Sequence, residues 1–356
     1  MDASRESPNL DFLRSAAVLF VVFFHVLMVL EQNHVVEKNN IGGLHAIGSW
    51  GVMIFFVHTC LVLMISLERQ HHRFPGEPAY FSFLVRRIFR VYPLSMFVVA
   101  CVVICRIPVG DIIAGHFVPV AVTGSGVLDN LLLVQNLTRT PPVIVPLWTL
   151  PYEMQMYLFL PALYLFVRRK PGILWIAVLW LITFVAAIPA HHLDRLGFPN
   201  LVEFAPYFLS GVVAFRLTKM PRLYLPAWLW PVAMAGTTAL FLSNPNPIRG
   251  WISSLLVAII IPQFKEISAT AARNVFKIVA RYSYGIYLAH FVCIWVALQV
   301  CAPMPVWFQI SVLFTTLTAL PFVLYHLIEE PMIAVGARLA AGRSLAGLPA
   351  PQTAAV

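Results

Sequence analysis

A succession of long apolar segments constrains this chain more than any other feature of its sequence. Apolar runs of about 17 to 25 residues can cross a bilayer as helices. We place ten such spans, of which the sixth and eighth are short, at 11–30, 45–66, 88–106, 149–167, 172–190, 203–217, 225–243, 248–263, 281–301 and 306–328. Only 11% of the residues are charged, against about 25% in a soluble domain. The sequence therefore predicts an all-α integral membrane protein, a polytopic bundle of about ten transmembrane helices.

The basic residues predict the orientation of this bundle. An even number of spans puts both termini on one side, and 19 of the 24 Lys and Arg residues fall there, the other five being Lys38, Arg106, Arg139, Arg195 and Arg249. The positive-inside rule then makes both termini cytoplasmic, as expected for a multi-pass protein of the cell inner membrane surrounded by membrane lipid. The net charge of +9 follows mostly from this bias, so we expect no nucleic-acid partner.

The chain is predicted to form a single membrane domain, residues 1–335, followed by a flexible cytoplasmic tail, 336–356, rich in Ala, Gly and Pro. The apolar stretch 117–135 is interrupted by polar residues and is expected to belong to an outer loop or a re-entrant piece. Residues 1–14 mix acidic and basic side chains and indicate no cleavable signal. Five cysteines in or beside apolar segments show no metal-ligand spacing, so we expect buried thiols and no metal site.

The first span carries three ionisable residues, Asp11, Arg14 and His25. At about 100° per residue, the eleven steps from Arg14 to His25 return to within roughly 20° of the same direction, so the three share one stripe. The helix rise separates Arg14 from His25 by about 16 Å. Ionisable groups within a bilayer usually face a cavity or a partner. A packed histidine is the plain alternative, but imidazole can also take a proton from a hydroxyl and return it to a thiolate.

Arg86, Arg87 and Arg90 lie within one helical turn, before Tyr92-Pro93. Arginines commonly collect at cytoplasmic loop ends, which is the plain interpretation of this cluster. They could also clamp phosphates through bidentate contacts, with Arg14 at the same depth. Coenzyme A combines phosphates with a long flexible arm and would fit such a site.

The segment Trp148-Thr-Leu-Pro-Tyr-Glu153-Met-Gln-Met-Tyr157 re-enters the membrane from outside. On the predicted topology Glu153 and His25 each lie about five residues below the outer surface, at matching depth. Glu153 then either orients His25 or binds an acceptor hydroxyl, or it forms a structural hydrogen bond with Tyr157. Nothing in the sequence separates these alternatives.

Further polar groups occur in the second, ninth and tenth spans. His58 and His290 lie mid-membrane and are expected to be satisfied inside the bundle, His290 also being a candidate pocket residue. Glu329-Glu330-Pro331 is expected to end the tenth span at the cytoplasmic edge, where a charge needs no function, and it is also a candidate for a pocket wall.

Together these motifs resemble the acyltransferase-3 family, the membrane O-acyltransferases that include O-antigen and exopolysaccharide acetylases. The matching pieces occur in family order over about residues 9 to 331: Leu10-Asp-Phe-Leu-Arg14 through His25, Gly51-Val-Met-Ile-Phe-Phe56, Arg86-Arg87 to Arg90-Val-Tyr-Pro93, Trp148-Thr-Leu to Glu153 and Tyr157, Ser283-Tyr-Gly-Ile-Tyr-Leu-Ala-His290, and Glu330-Pro331. The chain departs from the family pattern at Thr59-Cys60, usually Ser-Gly, and at Met53, usually acidic.

The resemblance implies transfer of an acetyl or other short acyl group from cytoplasmic acyl-CoA to a sugar hydroxyl of a surface glycan or glycolipid. It also implies His25 as catalytic base with Glu153 assisting, and Arg14, Arg86, Arg87 and Arg90 serving the donor. Asp11, Trp148, Tyr157 and His290 are candidate acceptor or pocket residues. The alternative is a polytopic transporter with an Arg/His/Glu relay. Transporters often consist of two similar halves, and no such repeat is visible in the sequence, which counts against this alternative.

Overall fold

A computed structural model describes residues 7–33, 42–73, 79–113, 116–169, 172–195 and 201–346. Helices dominate it, and a single small hairpin interrupts them among these residues. In chain order the elements are α1 (Pro8–Gln32), α2 (Ile47–Arg73), α3 (Ala79–Ile104), β1 (Asp111–Ile113), β2 (His116–Val118), α4 (Gly124–Leu131), α5 (Gln135–Thr138), α6 (Leu150–Arg168), α7 (Ile173–Arg195), α8 (Leu201–Leu217), α9 (Leu229–Leu242), α10 (Pro247–Ile260), α11 (Thr270–Trp295), α12 (Val306–Leu324) and α13 (Glu330–Ala346). Short 3₁₀ turns precede α2 and α6, and π turns follow α11 and α12.

The helices are consistent with a multi-pass membrane protein. Six of them are long and apolar enough to cross a bilayer, namely Pro8–Gln32, Gly43–His72, Tyr80–Ile104, Ile173–Leu193, Thr270–Val300 and Val306–Ala341. Leu229–Leu242 and Pro247–Gln263 are apolar but shorter. Each of the ten predicted spans overlaps a helix, yet the count of about ten crossings is not confirmed. Helix α8, for example, has only 17 residues.

The segment between α3 and α6 is partly built into the bundle. Residues 117–135, predicted as loop or re-entrant piece, contain most of β2, all of α4 and the start of α5. The β1–β2 hairpin is antiparallel and corrects the all-α prediction in this one place. The 3₁₀ turn Val145–Thr149 then buries Pro146, Leu147 and Thr149. The chain is therefore already inside the protein when α6 begins.

Glycines let the central helices approach closely. Helix α1 packs against α2 and α11, and α2 also packs against α8. A Cβ at Gly51 would lie 2.6 Å from the carbonyl oxygen of Ala17, and one at Gly211 would lie 2.6 Å from both the Val57 carbonyl and the Cys60 side chain. Small residues at such crossings are typical of membrane helix pairs. Gly211 thus leaves room for the Cys60 side chain.

The last helices differ from expectation. A π turn, Tyr325–Glu329, joins α12 to α13, and α13 packs against α3 and continues to Ala346. The segment predicted as a tail therefore begins within a helix, and residues 347–356 lie outside the described part. Glu329 is 1% exposed, so its carboxylate is enclosed by the protein. The helix continues through Pro331 because proline is tolerated in the first turn of a new helix.

Candidate active site

His25 of α1 and His290 of α11 form a buried pair. Nε2 of His290 lies 3.0 Å from Nδ1 of His25, and the ring centroids are 4.9 Å apart. Phe24 and Phe291 pack edge-on against the His25 ring. His25 is 7% exposed and His290 fully buried. The partner that the structure gives His25 is thus a second histidine from a helix 265 residues further along the chain.

The backbone carbonyls around the pair determine which nitrogens carry hydrogen. Nδ1 of His290 lies 2.7 Å from the carbonyl oxygen of Tyr287, and a carbonyl only accepts, so Nδ1 is the donor. A buried charge without a counter-ion is costly, so we treat the ring as neutral with a lone pair on Nε2. Nδ1 of His25 then donates to this lone pair and to the Val21 carbonyl, 2.9 Å away. This arrangement leaves Nε2 of His25 as the basic nitrogen.

Arg14 and His25 both contact α11, as their shared stripe on α1 predicts. Its Nε donates to Oγ of Ser283 over 2.5 Å. The contact order from Arg14–Ser283 to His25–His290 shows that α1 and α11 run parallel. Eleven residues on α1 span about 16 Å and seven on α11 about 10 Å, and the length of the arginine side chain accounts for the difference.

Aromatic rings occupy the space between Arg14 and His25. The Arg14 guanidinium lies 5.5 Å from the centroid of the Phe55 ring, which lies 6.2 Å from that of Tyr287. The Tyr287 ring lies 6.1 Å from His290. Its hydroxyl is held by Thr149 at 2.7 Å and by the Pro146 carbonyl at 2.9 Å. We call Phe55 and Tyr287 the ring layer.

On the Arg14 side of the ring layer lies a small polar cavity of about 50 Å³. Arg14, Arg87, Arg90, Glu153 and Tyr157 all line it. Tyr157 donates a hydrogen bond to Oε1 of Glu153, and the Glu153 carboxylate interacts electrostatically with all three arginines. Isolated charges are not tolerated at this depth, so the carboxylate and the guanidinium groups stabilise one another.

This placement corrects the predicted depth of Glu153. The carboxylate lies beside Arg14, about 16 Å along α1 from His25, so the two are not level. The prediction assumed that α6 starts at the membrane surface, whereas the buried turn Val145–Thr149 brings the chain inward first. Of the open alternatives, the hydrogen bond to Tyr157 is the one observed.

Glu329 adds a second carboxylate to the cluster of arginines. Its Oε1 lies 3.4 Å from Nη2 of Arg90. Ser95 and Tyr284 pack nearby, the Tyr284 hydroxyl donating to the Val91 carbonyl at 2.7 Å. The cluster therefore sets three half-buried arginines against the half-buried Glu153 and the buried Glu329, which leaves an excess of positive charge.

A second cavity, of about 1040 Å³, adjoins the first and shares Arg14, His58, Arg87 and Arg90 with it. Ligand sites commonly measure about 300–1,000 Å³. Three acidic residues line it, Asp11, Glu68 and Glu266, against ten basic ones: Arg14, Arg69, Arg87, Arg90, Lys219, Arg222, Lys265, Arg273, Lys277 and Arg281. It reaches the exposed Lys265 at the end of the bundle where α1 begins. We call it the basic cavity. His25 lines neither cavity.

Two of the predicted site residues lie apart from these groups. Arg86 lines neither cavity. Trp148 is 37% exposed and packs with Tyr152 and Phe204. Conversely, the loop residues Lys219, Arg222 and Lys265 were not predicted to join the site, since loop charges are usually solvated. Their signal in the sequence is the recurrence of basic residues in successive loops on one side.

His58 also departs from expectation. It was predicted to be satisfied within the bundle, but its Nδ1 has no hydrogen-bond partner among the described residues. The side chain lines both cavities. Within the described residues no group of three His, Cys, Asp or Glu side chains could hold a metal.

Comparison with known proteins gives one result. The family model described as an acyltransferase domain, the acyltransferase-3 model, matches residues 7–326, nearly the whole chain. No curated protein matches the chain. No solved structure matches it either.

Proposed function

The chain belongs to the acyltransferase-3 family, and from this premise we propose that it transfers an acetyl or other short acyl group from acyl-CoA to a hydroxyl of a surface glycan or glycolipid. The observation that carries the proposal is the basic cavity with its ten cationic side chains. A ligand that fills the basic cavity needs several negative charges. To reach into the adjoining small cavity as well, the same ligand needs a slender extension. Acyl-CoA has both.

The polyanionic end of the donor would lie among the loop cations, with Arg87 and Arg90 at the inner end. Arginine suits this role because its planar donors match phosphate oxygens in pairs. Arg86 lines neither cavity, so we assign it a weaker role, through its charge alone. Glu153 and Glu329 keep the inner arginines in place through charge and take no part in proton transfer to His25.

The acyl transfer would occur at His25. Nε2 of His25 takes the proton of the acceptor hydroxyl, whose oxygen attacks the thioester carbonyl carbon and forms the new C–O bond. The C–S bond then breaks, and the thiolate takes the proton back from the His25 imidazolium. His290 and the Val21 carbonyl together hold His25 in the tautomer with the lone pair on Nε2.

The donor arm must pass the ring layer to reach His25. The distance is about 16 Å along α1, and Phe55 and Tyr287 fill the space between. Transfer therefore requires one of these rings to move. With the termini on the cytoplasmic side of the inner membrane, the basic cavity faces the compartment where acyl-CoA is made, and His25 lies toward the acceptor.

A transporter with an Arg/His/Glu relay is the competing function. Family membership does not favour it, and Glu153 lies beside Arg14, with the ring layer between these two residues and His25. A carrier would also consume no thioester.

The test uses purified protein in detergent with acetyl-CoA labelled on the acetyl group and a glycolipid extract from cells that lack the chain. We expect free CoA thiol and labelled glycolipid to appear in equal amounts with the wild-type protein, and neither with His25→Ala. A thiol reagent and mass spectrometry of the glycans measure the two products. Absence of both products with the wild-type protein would overturn the proposal. Equal transfer by His25→Ala would overturn the assignment of the base.

A further inference from the structure

His58 is a buried polar side chain that the proposed reaction does not use. It is 4% exposed, lies on α2 with Phe55 one turn earlier, and lines both the small cavity and the basic cavity. The two cavities meet at this side chain, at Arg14 and at two arginines of α3.

The hydrogen bonding of the ring leaves one nitrogen unpaired. The Leu10 carbonyl of α1 accepts a hydrogen bond from the imidazole. Since Nδ1 has no partner among the described residues, the donor is Nε2. In the neutral ring Nδ1 is then an acceptor with a free lone pair. Leaving such a group buried and unpaired is unfavourable, and a ligand that supplies a hydrogen-bond donor removes this cost.

The other polar groups of the small cavity do not satisfy this lone pair. The Arg14 Nε–H donates to Ser283, and Tyr157 donates to Glu153. Phosphate oxygens are acceptors and would not approach Nδ1 favourably. The arginines therefore select the anionic portion of a ligand, whereas His58 selects an uncharged N–H or O–H donor immediately beyond it.

We propose that Nδ1 of His58 accepts a hydrogen bond from the pantetheine arm of the acyl-CoA donor, where the arm leaves the basic cavity. This inference rests on the proposed function. The arm carries two amide N–H groups and one hydroxyl next to the phosphates, and so presents donors at the required place. His58 would thus position the donor and distinguish it from other nucleotides that have phosphates but no such arm.

The test compares His58→Leu, which removes the acceptor at similar volume, with His58→Asn, whose amide oxygen can occupy the place of Nδ1. His71→Leu, on the same helix but lining neither cavity, controls for the loss of a histidine. We expect His58→Leu to raise KM for acetyl-CoA about tenfold, the effect of roughly 1.4 kcal/mol, with kcat changed less. His58→Asn should restore most of the KM, and His71→Leu should match the wild type.

Acetyl-pantetheine, which lacks the nucleotide and its phosphates, locates the contact. If His58 binds the arm, His58→Leu raises KM by a similar factor for this shorter donor. Two results for His58→Leu would overturn the inference. One is a KM that is unchanged for both acetyl-CoA and acetyl-pantetheine, and the other is a KM that rises for acetyl-CoA but not for acetyl-pantetheine. A wild-type protein that releases no CoA would instead overturn the proposed function. Size-exclusion profiles of both variants verify that they fold, and a KM for His58→Asn as high as that of His58→Leu would also contradict the proposal.

Discussion

Nε2 of His290 lies 3.0 Å from Nδ1 of His25, so the residue that orients the proposed base comes from α11. The carbonyls of Tyr287 and Val21 hold the two rings in one hydrogen-bonding order. The hydrogen-bonding order of the pair involves no carboxylate.

His290→Phe should reduce kcat, because His25 then loses one of the two acceptors of its Nδ1–H and the Val21 carbonyl alone holds the imidazole in place. General-base contributions are about 10²–10⁴-fold, and we expect a loss at the lower end. His290→Gln keeps an acceptor near the position of Nε2 and should retain most of the rate. The measurement is kcat for CoA release at saturating donor. Equal losses in both variants would show that the residue serves packing alone.

Arg222→Gln should weaken donor binding without changing the chemistry. Arg222 lines the basic cavity and reaches the Thr218 carbonyl at 2.8 Å. Loss of one cation near the phosphates should raise KM for acetyl-CoA about five- to tenfold, and the effect should shrink at high salt because exposed charges are screened. Arg338→Gln on α13 is the matched control, since Arg338 is exposed and lines neither cavity. Equal behaviour of the two variants would argue against a polyanion in this cavity.

Glu153→Gln should destabilise the protein more than it alters proton transfer. Removing one partner from a buried charge group typically costs about 3–5 kcal/mol, because the remaining charges stay buried. Tyr157→Phe removes the hydrogen bond but keeps the carboxylate, so its cost should be smaller, about 1–3 kcal/mol. Thermal unfolding in detergent ranks the two variants. A Glu153→Gln protein of normal stability but without activity would restore Glu153 to the catalytic group.

Gly211→Val should separate α8 from α2. A Cβ there would lie 2.6 Å from the Val57 carbonyl oxygen, which is backbone and cannot move aside. We expect a loss of stability of about 1–3 kcal/mol or more, as in overpacked cores. Gly236→Val on α9 is the control, because a Cβ there has no neighbour within 4 Å. Thermal unfolding and yield in the membrane fraction measure both, and similar results would contradict the close crossing.

The sequence predicts well what depends on local periodicity. The apolar segments coincide with helices, and the α1 stripe points Arg14 and His25 at a common neighbour, since both properties follow from neighbouring residues. The predicted depth of Glu153 is wrong because this depth depends on the path of the long loop before α6. That loop enters the protein at the buried residues Pro146 and Thr149. The pairing of His25 with His290 and the unpaired Nδ1 of His58 both depend on how helices distant in sequence pack together. The spacing of residues along one helix does not reveal such packing.

The ring layer has a consequence for the membrane itself. A deep, water-accessible cationic cavity shortens the insulating path across a bilayer, and each elementary charge that leaks across gains about 2.3 kcal/mol per 100 mV. Phe55 and Tyr287 offer a passing ion almost nothing to replace its hydration shell, and apolar constrictions of this kind exclude ions by dewetting. An uncharged acyl group carries no such shell. On the proposed function, the rings that a thioester would have to displace would thus also form the electrical seal that keeps ions from leaking across the membrane during transfer.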